Sequence, residues 1–422
     1  MALKNPYTMG GVVRGPSFYG RGALIDALLE GNDRAVWVIG NRRIGKTSLL
    51  RQVERLANAN GRVAFHINLE GSDTLADLSA SFLDDMDDGD DRLARLGLTI
   101  ADLQGKLPPA IMRALDRRAH ERGIEVLLLL DEAEALIQIA ERHGDDILKD
   151  LRREMQRSEA LRLVMVATKR LAALNDICRS WDTSPFLYGV TPRYLGRLER
   201  DETLALIRQS QSPSPQPVDD AVAEAILATT DGHPFLTQWL CDRLWSPGGL
   251  RAPTPDDVIP DASLMSLFQL DYRHLAPIER RILRCLAYVE ALDESGIMEQ
   301  LGIAIAEVQL RHLLQALEQL CYVRRRDAGY TTGNRLLHTW LQFWAVDEAP
   351  PVSDHAAIEQ ADEDRQGLLA VLTAHKRRLR SLEEQRALRG LGAPPEIGFE
   401  IEDIGARIAA LNEELARLET RE

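Results

Sequence analysis

Apolar runs punctuate the first 190 residues at near-regular intervals. Ala35–Ile39 (AVWVI), Val63–Asn68 (VAFHIN), 126–130 (VLLLL) and Leu161–Ala167 (LRLVMVA) are each strand-length, and 187–190 (LYGV) is a shorter fifth candidate. Between them apolar positions recur at helical spacing, which predicts helices over Gly22–Glu30, 46–58, 73–86 and 106–122. Uninterrupted apolar strands suit a parallel sheet covered on both faces. Strands alternating with helices predict an α/β fold with a parallel sheet. Residues 1–20, rich in Gly and Pro, read as an extended arm ahead of it.

From about 195 the period becomes helical throughout. Helices are expected over 202–209, 219–229 and Pro234–Leu244, followed by a Pro/Gly-rich connector at 246–262. Residues 277–290, 294–301 and 305–320 predict three helices. Short ribbon strands at 322–325 and 330–332, joined through Asp327-Ala328-Gly329, complete a winged-helix pattern, which a helix over 335–345 closes. Beyond an acidic linker at 347–364, Ile397, Ile401, Ile404, Ile408, Leu411, Leu415 and Leu418 alternate in steps of four and three. That is a heptad stripe. Leu368, Leu372, His375, Leu379 and Leu382 carry the same spacing upstream, and Gly390 to Pro395 separates the two. An antiparallel helical hairpin over 365–422 is expected. The domain expectation is therefore a sheet core with its arm (1–194), a helical lid (195–262), a winged helix (263–346), a linker and the hairpin.

Composition narrows the class. The chain has 422 residues, 45% of them hydrophobic, and a net charge of −14. The acidic balance excludes a whole-chain basic footprint for nucleic acid. Cys178, Cys241, Cys285 and Cys321 stand singly, without the spacing of a zinc site or a disulfide framework. No apolar run reaches the ~20 residues that span a bilayer, and the N-terminus has no apolar signal segment. A reduced, cytoplasmic protein without membrane partners is expected.

The chemistry concentrates at strand ends. Gly40-Asn41-Arg42-Arg43-Ile44-Gly45-Lys46-Thr47 follows the first strand and opens a helix, the GxxxxGK[ST] phosphate loop. Its glycines let backbone N–H groups curl around phosphate oxygens, and the helix N-terminus adds a favourable dipole. Lys46 is placed to reach the β- and γ-phosphates, the Thr47 hydroxyl to ligate Mg²⁺, and Ser48 to face the α-phosphate side. A chance Gly-rich turn would need neither the strand before it nor the helix after it. The run Leu127 to Leu130 ends in Asp131-Glu132, which assigns Asp131 to the metal shell and Glu132 to orienting the attacking water. An acidic first turn offsetting a helix dipole would look the same in isolation; the phosphate loop upstream favours the catalytic reading.

At the tip of the next strand, Thr168 and Arg170 are candidate γ-phosphate sensors, against the plainer reading of a solvated basic strand end. Gly232-His233-Pro234 starts a lid helix, which a first-turn Pro explains by itself. The acidic stretch 84–91 fails as a calcium loop, because Met86 and Arg95 occupy ligand positions. It reads as a solvated loop.

These segments resemble a known group. Asn5-Pro6-Tyr7, Phe18-Tyr19-Gly20-Arg21, GNRRIGKTSLL, LLLLDEAE, ATKR, PRYLGRLERDETLALI and TDGHPFLTQWLCDRL are similar to the archaeal-type ATPase branch of the STAND class, signal-transduction ATPases related to AAA+ proteins. The resemblance covers roughly residues 5–345. It implies ATP and ADP as ligands, an ADP-bound resting form and an ATP-bound form that can oligomerise. It also implies Gly20 and Arg21 near the base, Pro234 against it, and a winged-helix residue near the β-phosphate, for which His338 is the nearest candidate. The segment PPEIGFEIEDIGARIAALNEEL resembles short helical modules found beside effectors in bacterial conflict systems.

Two functional classes lead, ahead of a non-catalytic scaffold that holds nucleotide structurally, against which the intact Glu132 argues. The first is a slow, regulatory ATPase switch in bacterial signalling or defence, whose helical hairpin recruits an effector or another copy. The alternative is a DNA-handling AAA+-like ATPase reading duplex DNA with its winged helix. The expected recognition helix sets Arg311 and His312 against Glu307 and Glu318, a poor phosphate-binding face. Arg324-Arg325-Arg326 is the nearby basic cluster.

Overall fold

The structure, a computed structural model, describes residues 5–344 except 8, 88–90, 213–214, 290 and 304. The expected linker and heptad hairpin, and part of the acidic stretch, lie outside the described residues.

Five parallel strands form the central sheet in the order β2-β3-β4-β1-β5. They are β1 (Ala35–Ile39), β2 (Val63–Asn68), β3 (Val126–Asp131), β4 (Leu161–Ala167) and β5 (Thr191–Tyr194). Alternate residues enter opposite apolar layers. Phe65, Leu128, Leu130, Leu163 and Met165 join one cluster, while Ala64, Leu127, Leu129, Val164 and Val166 join the other. This two-sided burial is why the strands read as continuous apolar runs. The register brings Ile39 beside Ala167 and Asn68 beside Asp131, so the carboxyl ends of four strands share one edge. In open α/β sheets that edge is where ligands bind.

Helices α1 (Gly22–Glu30) and α2 (Lys46–Ala59) cover one face of the sheet, and α3 (Leu75–Met86) and α6 (Pro108–Arg122) the other. The short turns α4 (Arg92–Arg95) and α5 (Ile100–Leu103) lie between the last two. The acidic stretch therefore begins within α3, which runs through Asp84 and Asp85, rather than as a loop. Between β3 and β4 lie α7 (Ala135–His143) and α8 (Asp146–Arg157), and α9 (Ala173–Ile177) follows β4.

The fifth strand departs from expectation. Residues 187–190 form a turn whose Leu187 closes the core, and the strand is Thr191–Tyr194, four residues on. It is an edge strand with a largely exposed surface, so no apolar run announces it. Pro192 is tolerated there because an edge position does not need every N–H.

The remaining helices share a separate core. They are α10 (Arg200–Ile207), α11 (Asp220–Thr230), α12 (Pro234–Leu244), α13 (Ala262–Arg273), α14 (Pro277–Ala287), α15 (Glu294–Leu301), α16 (Glu307–Gln319) and α17 (Arg335–Trp344). Ile207, Leu240, Leu283, Leu314 and Leu336 are fully buried in that core. A two-residue hairpin, β6 (Trp245–Ser246) and β7 (Gly249–Leu250), interrupts the connector, and β8 (Val323–Arg326) pairs antiparallel with β9 (Gly329–Thr332). Helix α13 stands where the sequence pattern gave no helix. Among the described residues no helix is long and apolar enough to cross a membrane.

Candidate nucleotide site

The loop after β1 is shaped by steric exclusion and by two left-handed residues. A Cβ on Gly40 would lie 2.8 Å from Ile44 Cγ2 and 3.3 Å from Leu195 Cβ, so only glycine fits where the loop leaves the sheet. Arg43 and Gly45 have φ of 61° and 100°, which turn the chain back before α2 begins at Lys46. Lys46 folds over the loop, its Nζ donating to the Asn41 carbonyl at 3.1 Å. The first N–H groups of α2 thus border a concave surface with a cation above it, the arrangement that binds phosphate.

The end of β3 faces this loop. Asp131 is buried and accepts from the Glu132 amide (3.1 Å), from the Thr47 hydroxyl and from His66 Nε2 (3.2 Å). Burial opposes its ionisation. The hydrogen bonds from His66 and Thr47 outweigh that and hold the carboxyl below its ordinary value. Glu132 behaves oppositely. Burial raises its pKa, Lys46 pulls against it, and the neighbouring Glu134, Asp131 and Glu70 raise it further. Its φ of 49° is unusual for a residue with a side chain and directs the carboxyl off the strand axis.

A cavity of about 490 Å³ opens between these elements. Of the residues expected to bind nucleotide, Arg21, Arg42, Arg43, Ile44, Gly45, Lys46, Thr47, Ser48 and Pro234 line it, together with Glu132. Gly20, Gly40 and Asn41 lie behind that wall, and Asp131 meets the site through Thr47. The arm supplies residues 10–13, Phe18 and Tyr19 to the same cavity. It is tied down on both sides: the Val13 amide donates to Ser48 Oγ (3.2 Å), and Tyr7 Oη donates to the Ile207 carbonyl (2.6 Å). At the start of α12, His233 Nδ1 caps the helix by accepting from the Leu236 amide. Desolvation, with the Arg21 guanidinium nearby, drops the pKa of His233 to about 3, so it accepts without competing protonation.

Three expected residues stand elsewhere. Thr168 Oγ1 caps the Arg170 amide, and its own N–H donates to Glu134 Oε1 (2.5 Å). Arg170 Nη1 lies 3.4 Å from His274 Nε2. Neither lines the cavity. His338 pairs with Thr332 Oγ1 through Nδ1 at 3.1 Å, and burial lowers its pKa. It is not a cavity wall, because its place on α17 turns it toward β9.

The helices after 262 nonetheless reach the loop through other residues. Arg42 Nη1 is 3.3 Å from Asp271 Oδ1 and 3.1 Å from His274 Nδ1, at the end of α13. Asn41 Nδ2 donates to the Leu320 carbonyl (2.6 Å), and Lys169 pairs with Glu279. Asp271 and His274 were missed because the helix that carries them lacked a sequence signal. Their spacing of three places both on one helix face.

A family model described as an AAA domain matches residues 29–174. Over that stretch the chain is similar to an AAA domain, and its parallel sheet with the phosphate loop after β1 has the fold of a P-loop NTPase. Among solved structures, a Walker-type ATPase of Pyrococcus abyssi aligns with a TM-score of 0.55 at 18% identity, covering 80% of this chain and 99% of that one. An ORC2 protein of Aeropyrum pernix, described in ADPNP–ADP complexes, reaches a TM-score of 0.37 at 14% identity, over 75% of this chain and 91% of that one. No curated protein matches.

Proposed function

We propose that this chain is an ATP-binding and ATP-hydrolysing molecular switch of the STAND type, acting in bacterial signalling or defence. The observation that carries the reading is that the phosphate loop itself is held by the helices after 262, through Arg42–Asp271, Arg42–His274 and Asn41–Leu320. A loop that binds phosphate and also grips a second structural unit couples nucleotide state to the position of that unit. In this reading α14, α15, α16 and the β8–β9 ribbon are the winged helix and α10–α12 the lid.

Lys46 and the loop N–H groups bind the phosphates, and Glu132 orients and accepts a proton from the attacking water. The upward shift of Glu132, which burial causes, favours its acceptance of a proton. A Mg²⁺ ion fits the donors present, since the Thr47 hydroxyl and the Asp131 carboxylate are hard oxygens already hydrogen-bonded to each other. Among the described residues no cluster of three His, Cys, Asp or Glu side chains is placed to hold a metal, so the nucleotide phosphates would complete the shell. When bound, Mg²⁺ supplies neutralisation of phosphate charge. The Arg21, Pro234, Phe18 and Tyr19 side of the cavity takes the base and ribose. Partner recruitment, by an effector or a second copy, falls to residues 365–422.

The DNA-handling alternative has less support. Arg311 is engaged by Glu294 and Glu307, and Arg324 and Arg326 lie 3.1 and 3.9 Å from Asp231, which Arg197 also shares, so the recognition-helix cation is offset and the ribbon cations in part. The deciding experiment is calorimetric titration with ATP, alongside phosphate release, for wild type, Lys46→Ala and Glu132→Gln. Lys46→Ala should abolish binding. Glu132→Gln should bind normally and release phosphate at least about a hundredfold more slowly. Retained ATP binding by Lys46→Ala would refute the site.

A further inference from the structure

Asp131 is gripped from behind by a residue outside every motif. His66 lies on β2 in register with Leu129 of β3, two positions before the Asn68–Asp131 pair. That diagonal puts His66 and Asp131 on the same face of the sheet, within reach of each other. Their side chains are 2% and 3% exposed, and Nε2 stands 3.2 Å from Oδ2. A carboxylate only accepts, so Nε2 carries the hydrogen. The other ring nitrogen, Nδ1, is buried without a hydrogen-bond partner. Asp131 is thus the single polar contact of a ring that an apolar residue would replace without burying a bare nitrogen.

The main chain of the same residue adds a second tie. The His66 amide donates to Glu54 Oε1 at 3.1 Å, and Glu54 pairs with Arg92 at 2.8 Å. Glu54 lies on α2, the helix that Lys46 and Thr47 begin. His66 therefore holds the helix bearing Thr47 through its backbone and the strand end bearing Asp131 through its ring.

We infer that His66 is a positioning residue that keeps the Asp131 carboxylate turned toward the Thr47 hydroxyl, so that the two can serve one metal·nucleotide. The inference rests on the nucleotide reading above. His66 itself lines no part of the cavity; it acts through Asp131. Orienting partners one shell behind metal ligands commonly govern ten- to a hundredfold in metal affinity.

The test uses the full chain and ADP as probe, titrated calorimetrically in Mg²⁺ and in EDTA, for wild type, His66→Phe and His66→Gln. Phenylalanine keeps the ring volume without the donor. The glutamine amide nitrogen reaches about as far as Nε2. His66→Phe should lose roughly tenfold or more of its Mg·ADP affinity, with binding in EDTA unchanged, and His66→Gln should recover most of the loss. Equal weakening with and without Mg²⁺, no weakening, or no recovery by glutamine in a cooperatively unfolding variant would overturn the assignment. If His66→Phe does not unfold cooperatively, His66→Leu replaces it in the same comparison. Wild-type ADP binding that ignores Mg²⁺ is a distinct result, which would sink the metal·nucleotide reading and this inference with it.

Discussion

Asp271 shows how one side chain couples the loop to its neighbours. Burial pushes its carboxyl up from 3.8 to about 6, against the pull of Arg42 and Lys46. The unfolded chain therefore gives up this proton before the folded one does. The group imposes no penalty below about pH 4; the penalty grows as pH rises toward 6 and is constant above that. A shift of about two units is worth about 2–3 kcal/mol. Asp271→Asn removes the titration, so urea unfolding should find the variant gaining about that much on wild type between pH 4 and pH 8. Its partner Arg42 is partly solvated and tolerates the loss. A stability difference that stays flat across this range would show that Asp271 is not a buried carboxyl. The contact with Arg42 was illegible in the sequence because the two residues lie 229 positions apart. His66 and Asp131, 65 apart, escaped for the same reason. The phosphate loop was legible because its chemistry is contiguous: eight consecutive residues place their own backbone donors.

Among the strands, the one buried on both faces was readable and the exposed edge strand was not, while most amphipathic helices were legible from their period. Strand β3 is entirely buried and announced itself as VLLLL. Strand β5 is mostly exposed, and its boundary was misplaced onto the apolar turn before it. Helix α8 buries Ile147, Leu148, Leu151 and Met155 on one side, and its charged outer face masks that pattern in the sequence. Helix α13 begins where the Pro/Gly-rich connector was expected to end, and no helix was expected over its residues. At the same scale the β1-to-α2 turn makes its own prediction. A methyl at Gly40 meets Ile44 Cγ2 at 2.8 Å and Leu195 Cβ at 3.3 Å, so Ile44 must shift to admit it. Gly40→Ala should destabilise the protein by about 1–3 kcal/mol, and displacing Ile44 should weaken ADP binding as well. Thermal unfolding and ADP titration of the variant check both. Wild-type behaviour in the two assays would mean the loop has more room than its contacts allow.

Over the described molecule, apolar packing of Ile39 and Trp37 against the helical core is joined by a few polar contacts between the sheet edge and the helices after 262. They comprise Arg42 with Asp271 and His274, Asn41 with Leu320, Lys169 with Glu279, and Arg170 with His274. Each sits on the phosphate loop or on the strand tip beside it, so the strength of the joint is tied to the one place where a nucleotide would change charge. Partly solvated ion pairs contribute about 1 kcal/mol each, little enough for differential nucleotide binding to shift the joint. Reversing a charge in it should mimic that shift. Glu279 is buried and also accepts from the Ala276 amide, so it cannot turn away to avoid a new repulsion. Lys169→Glu should therefore open the joint without touching the cavity. Hydrogen exchange should accelerate over 262–344 and stay unchanged in β1, β3 and β4. Light scattering with a non-hydrolysable ATP analogue should find self-association in the variant at lower protein concentration than in wild type. Unchanged exchange would mean the apolar core shared by α10–α17, rather than the polar joint, fixes these helices to the sheet.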